Sequence, residues 1–400
     1  MIKPLSGIRV LELGQLIAGP FAAKMLGEFG AEVIKIEPPE LGDPLRKWRL
    51  LHDDTSVWWE VQSRNKQSVA LDLRQPEAQD VVRKLVASTD ILVENFRPGT
   101  LEKWGLGWDE LHAINPRLVM LRVSGYGQTG PYRDRAGFGV VGEAMGGLRH
   151  LSGEPGRPPV RVGVSIGDSL SALHGVIGVL LALRHREQNG GEGQYIDVAL
   201  YESVFNMMES LLPEYSVFNA VRQPAGSSLP GITPSNAYLC ADDKYALVAG
   251  NGDSIFKRLM AVIQRPDMAE NPVYANNSGR AQHAQTIDTA IEAWTKTQTL
   301  DAVLEALHEA HIPAGRVYDI ADICADPHYQ ARDMILDGKL DDGTPVKLPG
   351  IVPKLSATPG GVERKAPKLG QDTEAVLTAL GISADTQKDW AKRGIIRGES

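Results

Sequence analysis

Apolar and polar positions repeat along the first 200 residues in two alternating periods. Ile8-Arg9-Val10-Leu11-Glu12-Leu13 is apolar and β-prone, and Glu32-Val33-Ile34-Lys35-Ile36-Glu37 alternates with a period of two. Between them, Phe21 to Phe29 is helical in composition, with Gly30 placed to end the helix. Glu77 to Ser88 carries Val81, Val82, Leu85 and Val86 at helical spacing. Ile91-Leu92-Val93, Leu118 to Ser124 and Tyr195 to Leu200 read as further strands. Strands separated by helices of this length predict an α/β fold with a parallel sheet covered by helices. Leu170, Leu173, Ile177, Leu180 and Leu181 mark the buried face of one more helix.

The pattern changes after about residue 215. Arg222 to Pro234 is rich in Pro, Gly and Ser, which suits a linker over 216–234. Ala237–Cys240 and Tyr245–Val248, joined by Ala241-Asp242-Asp243-Lys244, predict a hairpin. Helical stretches near 253–264, 281–296 and 300–310 complete a small α+β domain over 235–324. From about 325 the chain is loop-rich, with a second hairpin around Asp341-Asp342-Gly343, and it closes with a short helix from Glu374 to Leu380. The large domain is then 1–215 together with 325–400.

Composition narrows the class. The chain has 400 residues, a formal net charge of −8 and 42% hydrophobic residues, which fits a globular protein and excludes a disordered chain. The acidic balance argues against nucleic acid and against an anionic membrane surface, while leaving room for a local basic pocket. Cys240 and Cys324 cannot build a disulfide framework, so a reducing cytoplasm is expected. Met1-Ile2-Lys3-Pro4 leads at once into a strand pattern, so no export signal is expected, and the longest apolar run, Gly175 to Leu183, is too short to span a bilayer.

Four segments hold candidate chemistry. Gly125-Tyr126-Gly127-Gln128-Thr129-Gly130 fits G-x-G-x-x-G, but Pro131 and Tyr132-Arg133-Asp134-Arg135 follow where a nucleotide-binding fingerprint opens a helix. Gly14 to Pro20 links the first strand to the first helix, the usual place for a ligand in such a sheet, though a tight turn with Pro20 opening the helix explains it as well. Glu94-Asn95-Phe96-Arg97-Pro98-Gly99, with Lys103 nearby, offers Asn and Arg at a strand end; a solvated loop is the plainer account. Asp168, in Gly163 to Ser169, directly precedes an apolar helix. An N-cap role accounts for it fully, yet capping also favours an ionised carboxylate able to attack an acyl carbon. His150, His174 and His185 show no metal spacing, and His174 reads as a satisfied core residue, so no metal is expected.

Taken together, Ala18-Gly19-Pro20, Glu32 to Glu37, Arg64-Asn65-Lys66, Glu94 to Gly99, Gly125-Tyr126-Gly127, Gly167-Asp168, Ile312 to Val317, Asp326-Pro327 and Lys368-Leu369-Gly370 stand in one order. In this the chain resembles the class III CoA-transferases (CaiB/BaiF type), the formyl-CoA, carnitine and succinyl-CoA-dependent enzymes, essentially end to end. The resemblance implies a Rossmann-like large domain built from both chain ends, a small domain from the middle, and a homodimer of interlocked chains. It implies Asp168 as the nucleophile, passing through a mixed anhydride and an aspartyl-CoA thioester. It implies CoA contacts at Ile17, Ala18, Leu71, Asp72, Leu73, Arg74, Asn95, Phe96, Arg97, Lys103, Gly137 and Phe138, with Arg74, Arg97 and Lys103 as phosphate partners. Coenzyme A or acyl-CoA is then a substrate, and no tightly bound cofactor is expected.

The family's other branch, the α-methylacyl-CoA racemases, pairs its aspartate with a histidine about thirty residues earlier, because a proton must be removed and returned. The matching segment here is Ala136-Gly137-Phe138-Gly139, and Phe138 cannot carry a proton. The chain also departs from the formyl-CoA transferase pattern. Ile17 stands for Gln, Phe138-Gly139 for Tyr-Glu, and Gly226-Ser227-Ser228 lies where a four-glycine loop belongs. Arg149, His150, Arg157 and Arg161 shortly precede Asp168 and suit the distal carboxylate of a dicarboxylic acid, or else form a solvated basic loop. The expected reaction is CoA transfer from succinyl-CoA to a short dicarboxylate such as succinate, glutarate, malate, citramalate, itaconate or mesaconate. The alternatives are a racemase or epimerase, and a non-catalytic acyl-CoA-binding protein.

Overall fold

Six of the alternating runs pair side by side as parallel strands: β1 (Arg9–Glu12), β2 (Glu32–Glu37), β3 (Lys66–Leu71), β4 (Ile91–Glu94), β5 (Val119–Ser124) and β6 (Tyr195–Ala199). A seventh, β7 (Ile396–Arg397), adds antiparallel to β3. The structure, a computed structural model, describes residues 2–397. Among them the largest sheet has the order β7-β3-β2-β1-β4-β5-β6. The chain builds outward from β1 to β3, then returns to the other side of β1 for β4 to β6. The carboxyl ends of β1 and β4 therefore flank the point where the order reverses, where ligands of open parallel sheets bind.

The period of two sorts side chains onto the two faces. Leu11, Ile34, Val69 and Leu92 join a core beneath α2 (Pro76–Val86), which buries Val81, Val82, Leu85 and Val86 as expected. Val10, Val33, Val93 and Leu121 face the opposite core with α1 (Ala18–Glu28) and α4 (Ile166–Gln188). Between β5 and α4 lies the two-turn helix α3 (Gly139–Met145), and α5 (Leu200–Phe205) follows β6.

Several expectations need correction. Helix α4 buries Gly167, Ser171, Ala172, Gly175, Val176 and Val179, not the leucine stripe. A Cβ on Gly175 would lie 2.8 Å from Leu121 Cδ2, and one on Gly178 2.9 Å from Ile196 Cγ2, so close seating on the sheet demands small residues. Leu173, Ile177, Leu180 and Leu181 face outward instead, the last 65% exposed. At 23 residues α4 is long and apolar enough to cross a membrane, unlike the short run read from the sequence, but one side packs on the sheet as in a core helix. His174 is half-buried and its Nδ1 lacks a hydrogen-bond partner, so it is not a satisfied core histidine. Strand β3 escaped the pattern because its Lys66 and Ser68 are polar yet buried: Lys66 Nζ sits 2.7 Å from Glu12, and Ser68 Oγ donates to Glu37 at 2.5 Å. Past Leu380 the chain adds a helix, Ala384–Lys392, and β7, held by few apolar anchors such as Ile395 and Ile396.

The chain divides into two compact units. One comprises residues up to Arg149, Arg161–Val221 and the chain from Asp333 on; the other comprises His150–Val160 and Arg222–Arg332. Relative to the boundaries 1–215, 216–234, 235–324 and 325–400, the strip 150–160 groups with the middle unit, and helix Leu211–Phe218 runs into the expected linker. The middle unit has an antiparallel sheet of Ser235–Leu239, Tyr245–Ala249 and Ala314–Arg316. Its core is Tyr238, Phe256, Leu259, Ile287, Ile291 and Leu307.

Candidate active site

The loop after β1 is shaped from beneath by buried charge. Lys35 Nζ donates to Glu12 and to the Gly14 carbonyl, both at 2.8 Å, and pairs with Asp43 at 2.8 Å. Burial works against the Lys35 ammonium, but Asp43, Glu12 and Glu37 together outweigh it and raise its pKa. Asp43 in turn accepts from Leu16 N at 3.0 Å. Leu16 has φ +64°, a left-handed conformation uncommon for a large side chain, and this bond helps to hold it there. Lys66, also buried on Glu12, is pushed down to about 8, chiefly by desolvation.

The loop after β4 locks onto the first one. Asn95 Oδ1 accepts from Gln15 N at 2.7 Å, and Asn95 Nδ2 donates to Gln15 O at 2.8 Å. A Cβ on Gly14 would stand 3.0 Å from that Oδ1, so a glycine suits the close approach. With its amide spent on the backbone, Asn95 ties the two halves of the switch point together. Phe96 packs edge-on against Trp104 with ring centroids 5.5 Å apart, while Arg97 is left exposed. Behind them Glu94 accepts from Arg122 Nε and from Phe96 N, both at 2.8 Å. Burial nonetheless pushes its carboxyl up to about 7.

Asp168 comes from the other side of the cleft. Helix α4 starts at Ile166 with Ser165 at the N-cap, so Asp168 is its third residue and not the cap expected from the sequence. Nor is its ionised form favoured. Burial, then the neighbouring Glu143 carboxylate, push Asp168 up to about 6, against the pull of Arg161 and of its own backbone N–H. Gly139, at the start of α3, makes the room: a Cβ there would lie 2.0 Å from Asp168 Oδ2.

These pieces enclose a cleft of about 620 Å³ at the switch point. It brings together Ile17, Ala18, Asn95, Phe96, Arg97, Gly137, Phe138 and Asp168. It does not bring in Leu71 to Arg74 or Lys103. Leu71 and Leu73 are core residues, Asp72 Oδ1 accepts from Arg74 Nε at 2.8 Å, and Lys103 is exposed. Of the four basic residues before Asp168, Arg161 is on the wall. Gly125 belongs to no nucleotide fingerprint: no helix follows Gly130 until Gly139, and a Cβ on Gly125 would lie 2.8 Å from Gly137 Cα. Sequence reasoning missed Arg49, Arg135, Gly139 and Glu143. For Glu143 the one signal was a lone acid inside the small, apolar run Gly139-Val140-Val141-Gly142-Glu143-Ala144. Among the described residues, one trio with metal-ligand atoms within 4.8 Å of one another is His52, Asp53 and Asp342, away from this cleft.

A carboxylate of raised basicity, half-buried in a cleft lined by arginines, suits nucleophilic attack on the acyl group of an anionic thioester. The CoA-transferase family III pattern matches residues 5–373. The chain is 48% identical over 385 residues to succinyl-CoA–D-citramalate CoA-transferase of Chloroflexus aurantiacus, covering 96% of each chain. It is 45% identical over 399 residues to the succinyl-CoA–L-malate CoA-transferase beta subunit of the same organism, covering 98% of each. A solved CAIB/BAIF family protein from Brucella suis superposes with a TM-score of 0.83 at 32% identity, over 95% of this chain and 100% of that one.

Proposed function

We infer the reaction from one premise: the chain belongs to CoA-transferase family III, and it is a CoA-transferase. The donor we propose is succinyl-CoA and the acceptor a short dicarboxylate of the citramalate or malate kind. The names of the two Chloroflexus relatives support this, as does Arg161, a guanidinium on the cleft wall suited to a distal carboxylate. Arg97, exposed on the opposite loop, suits the CoA phosphates.

Asp168 carries the chemistry in this reading. Its carboxylate attacks the thioester carbonyl, the carbon–sulfur bond breaks, and CoA leaves as the thiolate. The thiolate then attacks the aspartyl carbonyl of the mixed anhydride and releases the donor acid, which leaves an aspartyl-CoA thioester. The acceptor carboxylate repeats the two steps in reverse and regenerates Asp168, with no net proton uptake. The observation that carries the reading is the placement of Asp168 on the cleft wall, pushed up to about 6, which makes its ionised form a stronger nucleophile than an ordinary aspartate. Phe138, a hydrocarbon in the same cleft, supports transfer over racemisation.

The enzyme is further proposed to work as a homodimer, threaded as the family resemblance implies. The outward stripe Leu173, Ile177, Leu180 and Leu181 is a face that a second copy would cover. Two free cysteines, Cys240 buried, support a reducing cytoplasm.

The test is a transfer assay. Succinyl-CoA is incubated with a panel of mono- and dicarboxylic acids, and new CoA thioesters are read by mass spectrometry. The expected product is a dicarboxyl-CoA from the wild type, with turnover down at least about 10³-fold in Asp168→Ala while CoA still binds. Faster turnover of monocarboxylates than of every dicarboxylate would sink the substrate assignment. Undiminished transfer by the variant would sink the nucleophile.

A further inference from the structure

Glu143 is a charged group beside the cleft that the reaction above leaves without a task. It lies in α3 with 1% of its surface exposed, and its Oε1 has no hydrogen-bond partner. Its Oε2 faces two guanidiniums at longer range: Arg149 Nη2 at 3.7 Å and Arg161 Nε at 3.6 Å. A buried acid with an orphaned oxygen is costly unless the site uses it, because desolvation goes uncompensated.

The backbone is cut to fit this carboxylate beside Asp168. A Cβ on Gly167, next to Asp168, would lie 3.3 Å from Glu143 Cγ and 3.2 Å from the Gly139 carbonyl. The Gly139 site is likewise filled by Asp168. Glycines on α3 and α4 thus let two acids share one seam, each seated where the other helix lacks a side chain. The charged groups that face Asp168 are Glu143 from α3 and Arg161 from the segment leading into α4. Arg49, Arg97 and Arg135 line the same cleft, and Arg149 stands behind Glu143.

We propose that Glu143 is a positioning residue for CoA transfer: it fixes Arg161 at the cleft wall to receive the acceptor's distal carboxylate, and it sets a second carboxylate in the seam beside that of Asp168. The raised pKa of Asp168, with Glu143 as its second-largest cause, agrees with that geometry. The proposal rests on Asp168 being the nucleophile, and the experiment separates the two.

The pH dependence of kcat/KM for succinyl-CoA is measured for the wild type, Glu143→Gln, Glu143→Asp, Arg161→Met and Asp168→Ala. The acid limb reports ionisation of the nucleophile in the free enzyme. Glu143→Gln is expected to move that limb down by about one pH unit, since a like charge has been removed. Arg161→Met is expected to move it up, and Glu143→Asp, which keeps the charge, to leave it near the wild-type position. Glu143→Gln is also expected to raise KM for a dicarboxylate acceptor about fivefold or more while sparing a monocarboxylate acceptor. A Glu143→Gln limb that stays put, with kcat lowered equally at every pH, would mean a merely structural role and overturn the proposal. If Glu143→Gln does not fold, Glu143→Asp decides through KM: its shorter arm draws the carboxylate away from Arg161, and an unchanged KM for the dicarboxylate acceptor overturns the proposal. Loss of transfer in Asp168→Ala beside an unmoved Glu143→Gln limb leaves the nucleophile standing and removes only the role of Glu143.

Discussion

Replacing Asp168 by Asn removes a charge that destabilises the folded chain. The Asp168 carboxyl holds its proton up to about pH 6, against an ordinary value of 3.8. Because the folded pKa lies above the unfolded one, the folded state binds the extra proton between those two pH values. Wild-type stability relative to the neutral variant is therefore lost as pH rises from about 4 to 6, and the penalty is complete above 6. At about 1.4 kcal/mol per pH unit the ceiling is about 3 kcal/mol. Asp168 is only half-buried, so solvent screening brings this to about 1–2 kcal/mol. The assay is urea unfolding of wild type and Asp168→Asn at pH 4 and pH 8, at one protein concentration so that self-association does not enter the difference. The variant is expected to be the more stable by about 1–2 kcal/mol at pH 8 and to match the wild type at pH 4. A helix-capping role predicts no gain at pH 8, because Asn caps a helix about as well as Asp. A variant no more stable than wild type at pH 8 would refute the electrostatic reading of the site.

Gly139→Ala adds a helix-favouring residue yet drives a methyl to 2.0 Å from Asp168 Oδ2. It is expected to lower kcat about 10²-fold, read in the transfer assay, with little change in urea midpoint. Asp43→Asn takes a partner from buried Lys35 and weakens the hold on Leu16; it is expected to cost about 3–5 kcal/mol by urea unfolding and to raise KM for succinyl-CoA. Ile177→Asp with Leu181→Asp places charge on the outward face of α4; since threaded chains part only on unfolding, the variant is refolded from urea and is then expected to sediment as a single chain. An unchanged coefficient would mean that this face is not the contact between copies.

The parallel sheet was legible because burial on both faces leaves short apolar runs such as Ile91–Val93 and Val119–Leu121. Strand β3 was not, because Lys66 and Ser68 are buried by partners distant in the chain, Glu12 and Glu37, and look solvent-bound in sequence. Helix α4 was legible as a helix but not in orientation. It is apolar all round, and the face that meets the sheet is chosen by the small size of Gly175 and Gly178, not by hydrophobicity.

For the site, the sequence by itself determined the parts: Asp168 beside a glycine, Asn95 and Arg97 after a strand, and Phe138 where a base would be needed for proton exchange. These are local identities, and short stretches of chain are enough to state them. Tertiary structure alone decided their chemistry. It moved Asp168 from a cap to the first turn of α4, gave Asn95 a clasp on Gln15, and set Glu143 against the nucleophile. Burial and the distance between charges determine whether a carboxyl is acidic or basic, and neither quantity exists until residues far apart in the chain are brought together.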